Sequence, residues 1–158
     1  MKAIITIGLP GSGKSTYFKG HPGEVNRDDI RLSIFGESEM IDYYSHSSLR
    51  SREKMVDKKR DEMISLLAKT HSDVVISDTN LNPRYRDELE AQLVSYGYEI
   101  EYMIFDVPLE TCMIRNSDRD GWRRVPSNVL AGMLKSLVEA IDYVKTNGKH
   151  YTLVGVDE

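Results

Sequence analysis

The chain has 158 residues, 40% of them hydrophobic and 29% charged, with a formal net charge of −4. These values suit one soluble globular domain with a single core. No apolar stretch is long enough to span a bilayer, and an acidic balance excludes coating a long duplex with phosphate contacts.

Met1 to Thr16 (MKAIITIGLPGSGKST) is not a signal peptide: its apolar part is short and runs straight into a glycine-rich loop. That part, Ala3–Ile7, is rich in β-branched residues and predicts a strand buried on both faces, as in a parallel sheet. A helix is expected to start near Gly13. Between them, Gly8-Leu-Pro-Gly-Ser-Gly-Lys-Ser15 matches GxxxxGK[ST] at every fixed position. In such a loop, glycines let successive N–H groups face one point, and the following helix adds its positive end. Gly11, Ser12, Gly13 and Thr16 are therefore read as nucleotide-binding. Lys14 is the mobile charge for the β- and γ-phosphates of ATP, and Ser15 the hydroxyl for Mg²⁺.

Glu24–Asn26 reads as a short strand. Asn26-Arg-Asp28-Asp29-Ile-Arg31 then opens a helix, where two aspartates ordinarily serve capping and dipole pairing, worth about 1 kcal/mol. A kinase also needs a carboxylate near its phosphate loop, and Asp28 could supply it, with Arg31 one turn later as a cation for an acceptor phosphate. Gly36–Ser48 has no period. Leu49–Lys69 predicts a helix with Met63, Ile64, Leu67 and Ala68 on its inner face.

Val74–Ser77 predicts a second buried strand, ended by Asp78. An acidic residue there can reach a metal directly or through water. Thr79 and Asn80 follow at the edge where α/β sheets place ligands. Asn82-Pro83 gives a cap and a first-turn proline to a helix running to about Ser95. Ile100–Val107 is a third strand, and Val107-Pro108 opens a helix to about Ser117. Cys112, the sole cysteine, excludes an internal disulfide, points to a reducing cytosol and reads as a small buried hydrophobe.

Arg115, Arg119, Arg123 and Arg124 cluster before Pro126. Arg115 and Arg119 share a face if the helix continues. A solvated face is the ordinary reading, but γ-phosphoryl transfer calls for cations that close over the phosphates. Trp122 suits base stacking or loop packing. Asp118-Arg-Asp120-Gly has the DxDG form of aspartate-based phosphatases but no apolar strand before it. Ser127 is expected to cap one long helix carrying Val129, Leu130, Met133, Leu134, Leu137, Val138, Ile141 and Val144, ended by Asn147-Gly148. Tyr151–Val156 is a last strand. The four histidines show no metal-ligand spacing.

Strands alternating with helices predict an α/β fold: a parallel sheet covered on both faces, here the P-loop NTPase-type three-layer form with a helical lid. ITIGLPGSGKST, NRDDIRLSI, ISDTNLNP, FDVPLE, RNSDR and VPSNVLAGMLKS together resemble the kinase domain of phage 5′-polynucleotide kinases, in the family's order and over most of the chain. The resemblance implies transfer of the ATP γ-phosphate to 5′-hydroxyl ends of DNA or RNA, as in nucleic-acid repair, in a host cytosol if phage-encoded. It implies Asp28 as general base, Arg31 on the acceptor-strand phosphate, Asp78 supporting the acceptor site by orienting Arg31, Arg119 on the transferring phosphate and Arg115 nearby. Phage enzymes of this type carry a C-terminal phosphatase domain; residues 1–158 read as a single kinase domain without one. Two rivals are a P-loop kinase of a small hydroxylated metabolite or nucleotide-sugar, as in the zeta-toxin group, and a non-catalytic ATP-binding switch.

Overall fold

In the computed structural model residues 1–119 and 121–155 are described. The chain runs β1 (Lys2–Ile7), α1 (Lys14–Tyr17), β2 (Glu24–Val25), α2 (Arg27–Phe35), α3 (Leu49–Lys69), β3 (Val74–Ile76), α4 (Pro83–Ser95), β4 (Glu99–Phe105), α5 (Leu109–Ser117), α6 (Ser127–Gly132), α7 (Leu134–Thr146) and β5 (Tyr151–Val154). Asp120 of the DxDG-like tetrad and Val156 of the last expected strand lie outside the described residues.

All five strands are parallel, in the order β2-β3-β1-β4-β5. β1 is central: Ala3 pairs with Val74 on one side and with Ile100 on the other. Successive side chains of a strand point to opposite faces. Ala3, Ile5 and Ile7 therefore enter the larger core with Ile76, Tyr102 and Ile104. Helices seal that face through Val56 and Ile64 of α3, Leu89 and Leu93 of α4, and Leu137, Ala140 and Val144 of α7. Each large aliphatic chain buried this way contributes about 1.5–3 kcal/mol.

The other face has a thinner cover. Phe18, at the end of α1, packs with Val75, Met103, Phe105 and Val154. Beyond it the face turns polar, with Lys2 bridged to Glu101 at 3.1 Å and Thr152 donating to the same carboxylate. Among the described residues no helix is long and apolar enough to cross a membrane.

Local chemistry departs from the sequence reading at two helix starts. Neither aspartate caps α2: Asn26 does, its side chain accepting from the Asp28 and Asp29 N–H groups. Ser127 does not cap either, since Pro126 occupies the cap position and Ser127 is already helical. The long helix expected after it is two, α6 and α7, meeting at Met133 behind Gly132, the least helix-prone residue of that run apart from proline. Asn82 caps α4 as expected, accepting from Tyr85 N–H at 3.1 Å.

Candidate functional site

The order of strands reverses direction at β1, so a crevice opens beyond its C-terminal end. The Gly8–Ser15 loop occupies that crevice. Its shape depends on glycine at two points. Gly11 has φ +82°, and a Cβ there would stand 2.7 Å from the Cys112 carbonyl oxygen. Gly13 has φ +98°. The helix that follows is a single turn, Lys14–Tyr17, so the dipole expected behind the loop reduces to the N–H groups of that turn.

Lys14 is buried. Its Nζ donates to the Gly8 carbonyl at 2.9 Å, the Leu9 carbonyl at 2.7 Å and Ser12 Oγ at 3.3 Å. Burial pulls its pKa down to about 7; the Arg119 charge adds to this, while Asp78 and Asp28 oppose it. An incoming phosphate oxyanion would favour the charged form. Ser15 and Thr16 are exposed at the start of α1.

The Asp78 carboxyl lies across the crevice. Its Oδ1 accepts from the Arg27 N–H at 2.9 Å, and its buried Oδ2 has no partner among the described residues. Burial pushes its pKa up. It does not orient Arg31, as the sequence reading had it. Asn80, read as a substrate contact, braces the sheet edge: its Nδ2 donates to the carbonyls of Thr6, Ile76 and Asp78 at 2.7, 3.1 and 3.1 Å. Its neighbour Thr79 accepts from Gly8 N–H through its backbone carbonyl.

A second charged pair, Asp28 and Arg31, forms on α2. Because Asn26 does the capping, the Asp28 carboxylate is free to pair with Arg31 Nη1 at 2.8 Å, and its side chain stays 44% exposed against 10% for Arg31. Arg31 is held from behind by Glu53 of α3, with Nε to Oε2 at 3.1 Å and Nη2 to Oε1 at 2.7 Å. Tyr43 Oη donates to the same Oε2 at 2.6 Å, and Arg27 reaches Oε1 at 3.4 Å. Burial opposes the Glu53 charge, but the hydrogen bonds from Arg31 and Tyr43 outweigh it and hold the carboxyl at about 2. The sequence reading missed Glu53 and Tyr43. Glu53 sits in a charge-rich helix where it looks like any solvated acid. Tyr43 sits in the aperiodic stretch, where the only clue is its three-residue spacing from Met40.

The third wall is the segment after α5. That helix stops at Ser117 with Asp118 as cap, so Arg119 does not share a helical face with Arg115. Arg115 reaches back over the glycine loop, its Nη1 donating to the Gly11 carbonyl at 3.4 Å. Burial lowers the pKa of the half-buried Arg119 guanidinium; the Asp28 charge raises it and Arg123 lowers it. Lys14, Asp28 and Arg119 thus feel one another across the crevice. Asn116 staples the segment shut, its side chain donating to the Val125 carbonyl at 2.6 Å and accepting from the Val125 N–H at 2.9 Å. Arg124 caps the Arg119 carbonyl. Trp122 is half-buried, with the Arg123 guanidinium 4.5 Å from its ring centre. Where the sequence reading expects a helical lid, the stretch between α5 and α6 contains a 3-10 turn, Gly121–Arg123.

A divalent cation fits this donor set. Ser15 offers an open hydroxyl and Asp78 a buried carboxylate oxygen without a partner among the described residues. Among the described residues no three acidic, cysteine or histidine side chains gather into a cage. Few protein ligands, all oxygen, suit Mg²⁺ that keeps its waters and shares phosphate oxygens. A separate concavity of about 620 Å³ is an open trough along α3 between Lys54 and Lys69.

Residues 4–141 match the family model described as AAA domain. A protein of Autographa californica nuclear polyhedrosis virus, named as a bifunctional polynucleotide kinase/RNA ligase, is 36% identical over 123 residues, or 73% of this chain. The chain spans only 18% of that relative's length. In the solved Pnkp1/Rnl/Hen1 complex, one chain is 32% identical and superposes with a TM-score of 0.56 over 72% of this chain and 38% of its own length. A chain from the PezAT toxin-antitoxin system of Streptococcus pneumoniae superposes with a TM-score of 0.68 over 99% of this chain and 69% of its own, at 16% identity, a likeness of fold alone.

Proposed function

The chain belongs to the AAA domain family and has a P-loop kinase fold, and from that premise we propose that it transfers the γ-phosphate of ATP to the 5′-hydroxyl end of DNA or RNA. The observation that supports the reading is a glycine loop holding the buried Lys14 together with a second charged pair, Arg31 Nη1 on Asp28 at 2.8 Å, whose carboxylate influences both Lys14 and Arg119. A nucleotide-binding switch has no need of the second pair. The polynucleotide acceptor draws its support from the viral relative and from the Pnkp1 complex.

In this reading the Asp28 carboxylate takes the proton of the 5′-hydroxyl as its oxygen attacks the γ-phosphorus, and ADP leaves in line. Lys14 swings from the loop carbonyls to the phosphates, where its charge is favoured. Arg119 offsets the charge on the transferring group. Ser15 and Asp78 would hold Mg²⁺, which when bound would supply positive charge against the phosphate oxygens. Arg31 offers its remaining N–H groups to the phosphate that follows the terminal nucleotide. Positioning and electrostatics supply most of the acceleration. With Cys112 buried as a free thiol, the proposed setting is the cytosol.

The test is label transfer from γ-labelled ATP to single-stranded, nicked and recessed 5′-hydroxyl ends, run against a panel of sugars and nucleotide-sugars. Labelled 5′ ends support the reading. Product from the sugars alone would assign the site to a metabolite kinase.

The loop's shape has its own consequence. An L residue at a positive φ is strained by about 1–2 kcal/mol, and a Cβ at Gly11 also meets the Cys112 carbonyl at 2.7 Å. Gly11→Ala is expected to weaken ATP binding about tenfold or more, measured by calorimetric titration. Unchanged affinity would show that the loop's curl does not shape the phosphate site.

A further inference from the structure

The stretch between α2 and α3, which has no period in sequence, is built from two 3-10 turns, Glu37–Glu39 and Tyr43–Ser45. Around them the side chains sort by a three-residue spacing. Met40 and Tyr43 point inward, at 4% and 1% exposure, while Ile41 and Tyr44 point outward, at 73% and 65%. The inward pair has a structural reason. Tyr43 packs on Phe35 with ring centres 5.7 Å apart and donates to Glu53. The outward pair contributes nothing comparable to the core.

Its location is specific. The Arg31 guanidinium lies over the Tyr44 ring, 5.5 Å from its centre, and Tyr43 meets the same ring edge-on at 5.2 Å. The Tyr44 hydroxyl feels the charges of Arg31, Asp28, Glu53 and Arg27. An open aromatic ring therefore stands beside the carboxylate and guanidinium assigned to the acceptor. With a net charge of −4, the chain as a whole has no attraction for a polyanion. Its grip on an end must be local: a few cations and a surface for a base.

We propose that Tyr44 is the stacking platform for the base of the acceptor's 5′-terminal nucleotide, with Ile41 extending the apolar edge. The assignment rests on the polynucleotide reading above. Every base has a π face, so a single aromatic platform accepts all four and gives weak sequence preference. It would place the terminal base on Tyr44 while Asp28 faces the 5′-oxygen and Arg31 the next phosphate.

The experiment compares wild type, Tyr44→Ala and Tyr44→Trp on single-stranded 5′-hydroxyl oligonucleotides with the terminal nucleotide either intact or abasic. Tyr44→Ala is expected to raise the acceptor KM about tenfold on intact ends, with kcat at saturation and the ATP KM retained. Tyr44→Trp should keep the wild-type KM. On abasic ends wild type should already show the raised KM, and Tyr44→Ala should add nothing. Equal losses on intact and abasic ends, an unchanged KM, or a loss that tracks the second base instead would each overturn the assignment. Wild type that labels no oligonucleotide would overturn the polynucleotide reading itself. Wild type that labels ends regardless of Tyr44 would leave that reading intact and remove only the platform. Circular dichroism melting of Tyr44→Ala should match wild type, because the side chain is exposed.

Discussion

Asp28→Asn is expected to lower kcat for phosphoryl transfer by about 10²–10⁴-fold, the usual range for a lost general base, while ATP still binds. The substitution is close to isosteric. An asparagine oxygen can still accept from Arg31 Nη1, now 2.8 Å from Asp28 Oδ1, and the two Arg31 bonds to Glu53 do not involve residue 28. Asn26, not Asp28, caps α2, so the helix start is retained. What disappears is the negative charge and the ability to take a proton. A purely structural role for Asp28 would show as a lower melting temperature with turnover preserved per folded molecule. A role in acceptor binding alone would raise the acceptor KM at constant kcat. The expected pattern is a loss in kcat with ATP affinity and melting temperature near wild type. Turnover at the wild-type rate would remove Asp28 as the base.

The frame of the molecule was legible because its elements obey simple periods. Ala3–Ile7, Val74–Ile76 and Leu49–Lys69 stand where apolar runs and a 3.6-residue repeat put them. The glycine loop was legible because three fixed residue types at fixed spacing have few other uses. The support behind Arg31 was not legible. Glu53 lies 22 positions away on another helix, and only the packing of α2 against α3 turns a surface-like acid into a half-buried bidentate partner. Asp78 shows the same limit from the other side. The residue type was right for the crevice, but which N–H it would meet depended on β2 lying beside β3, and that put Arg27 N–H, not the Arg31 side chain, within reach. Ser127 failed for a local reason: Pro126 took the cap position, so a good capping residue fell one place inside the helix.

Arg119→Ala is expected to lower kcat at least about a hundredfold, as for cations that meet the transferring phosphoryl group late, with a smaller change in the ATP KM. The argument is positional. Arg119 follows the end of α5 and is half-buried between two opposed influences, Asp28 favouring its charge and Arg123 disfavouring it. Its carbonyl is gripped by Arg124 and its loop is closed by Asn116 on Val125, so the guanidinium is carried on a held backbone. Arg115 provides the contrast. Its contact is the Gly11 carbonyl at the edge of the loop, so Arg115→Ala should raise the ATP KM and leave kcat largely in place. Arg119→Lys keeps the charge but not the planar fork, and should recover part of the lost rate. Single-turnover measurements at saturating ATP separate these outcomes from product release. If Arg119→Ala kept the wild-type single-turnover rate, the segment after α5 would carry no cation to the transferring group, and among the protein's own side chains the acceleration would have to come from Lys14 and Asp28.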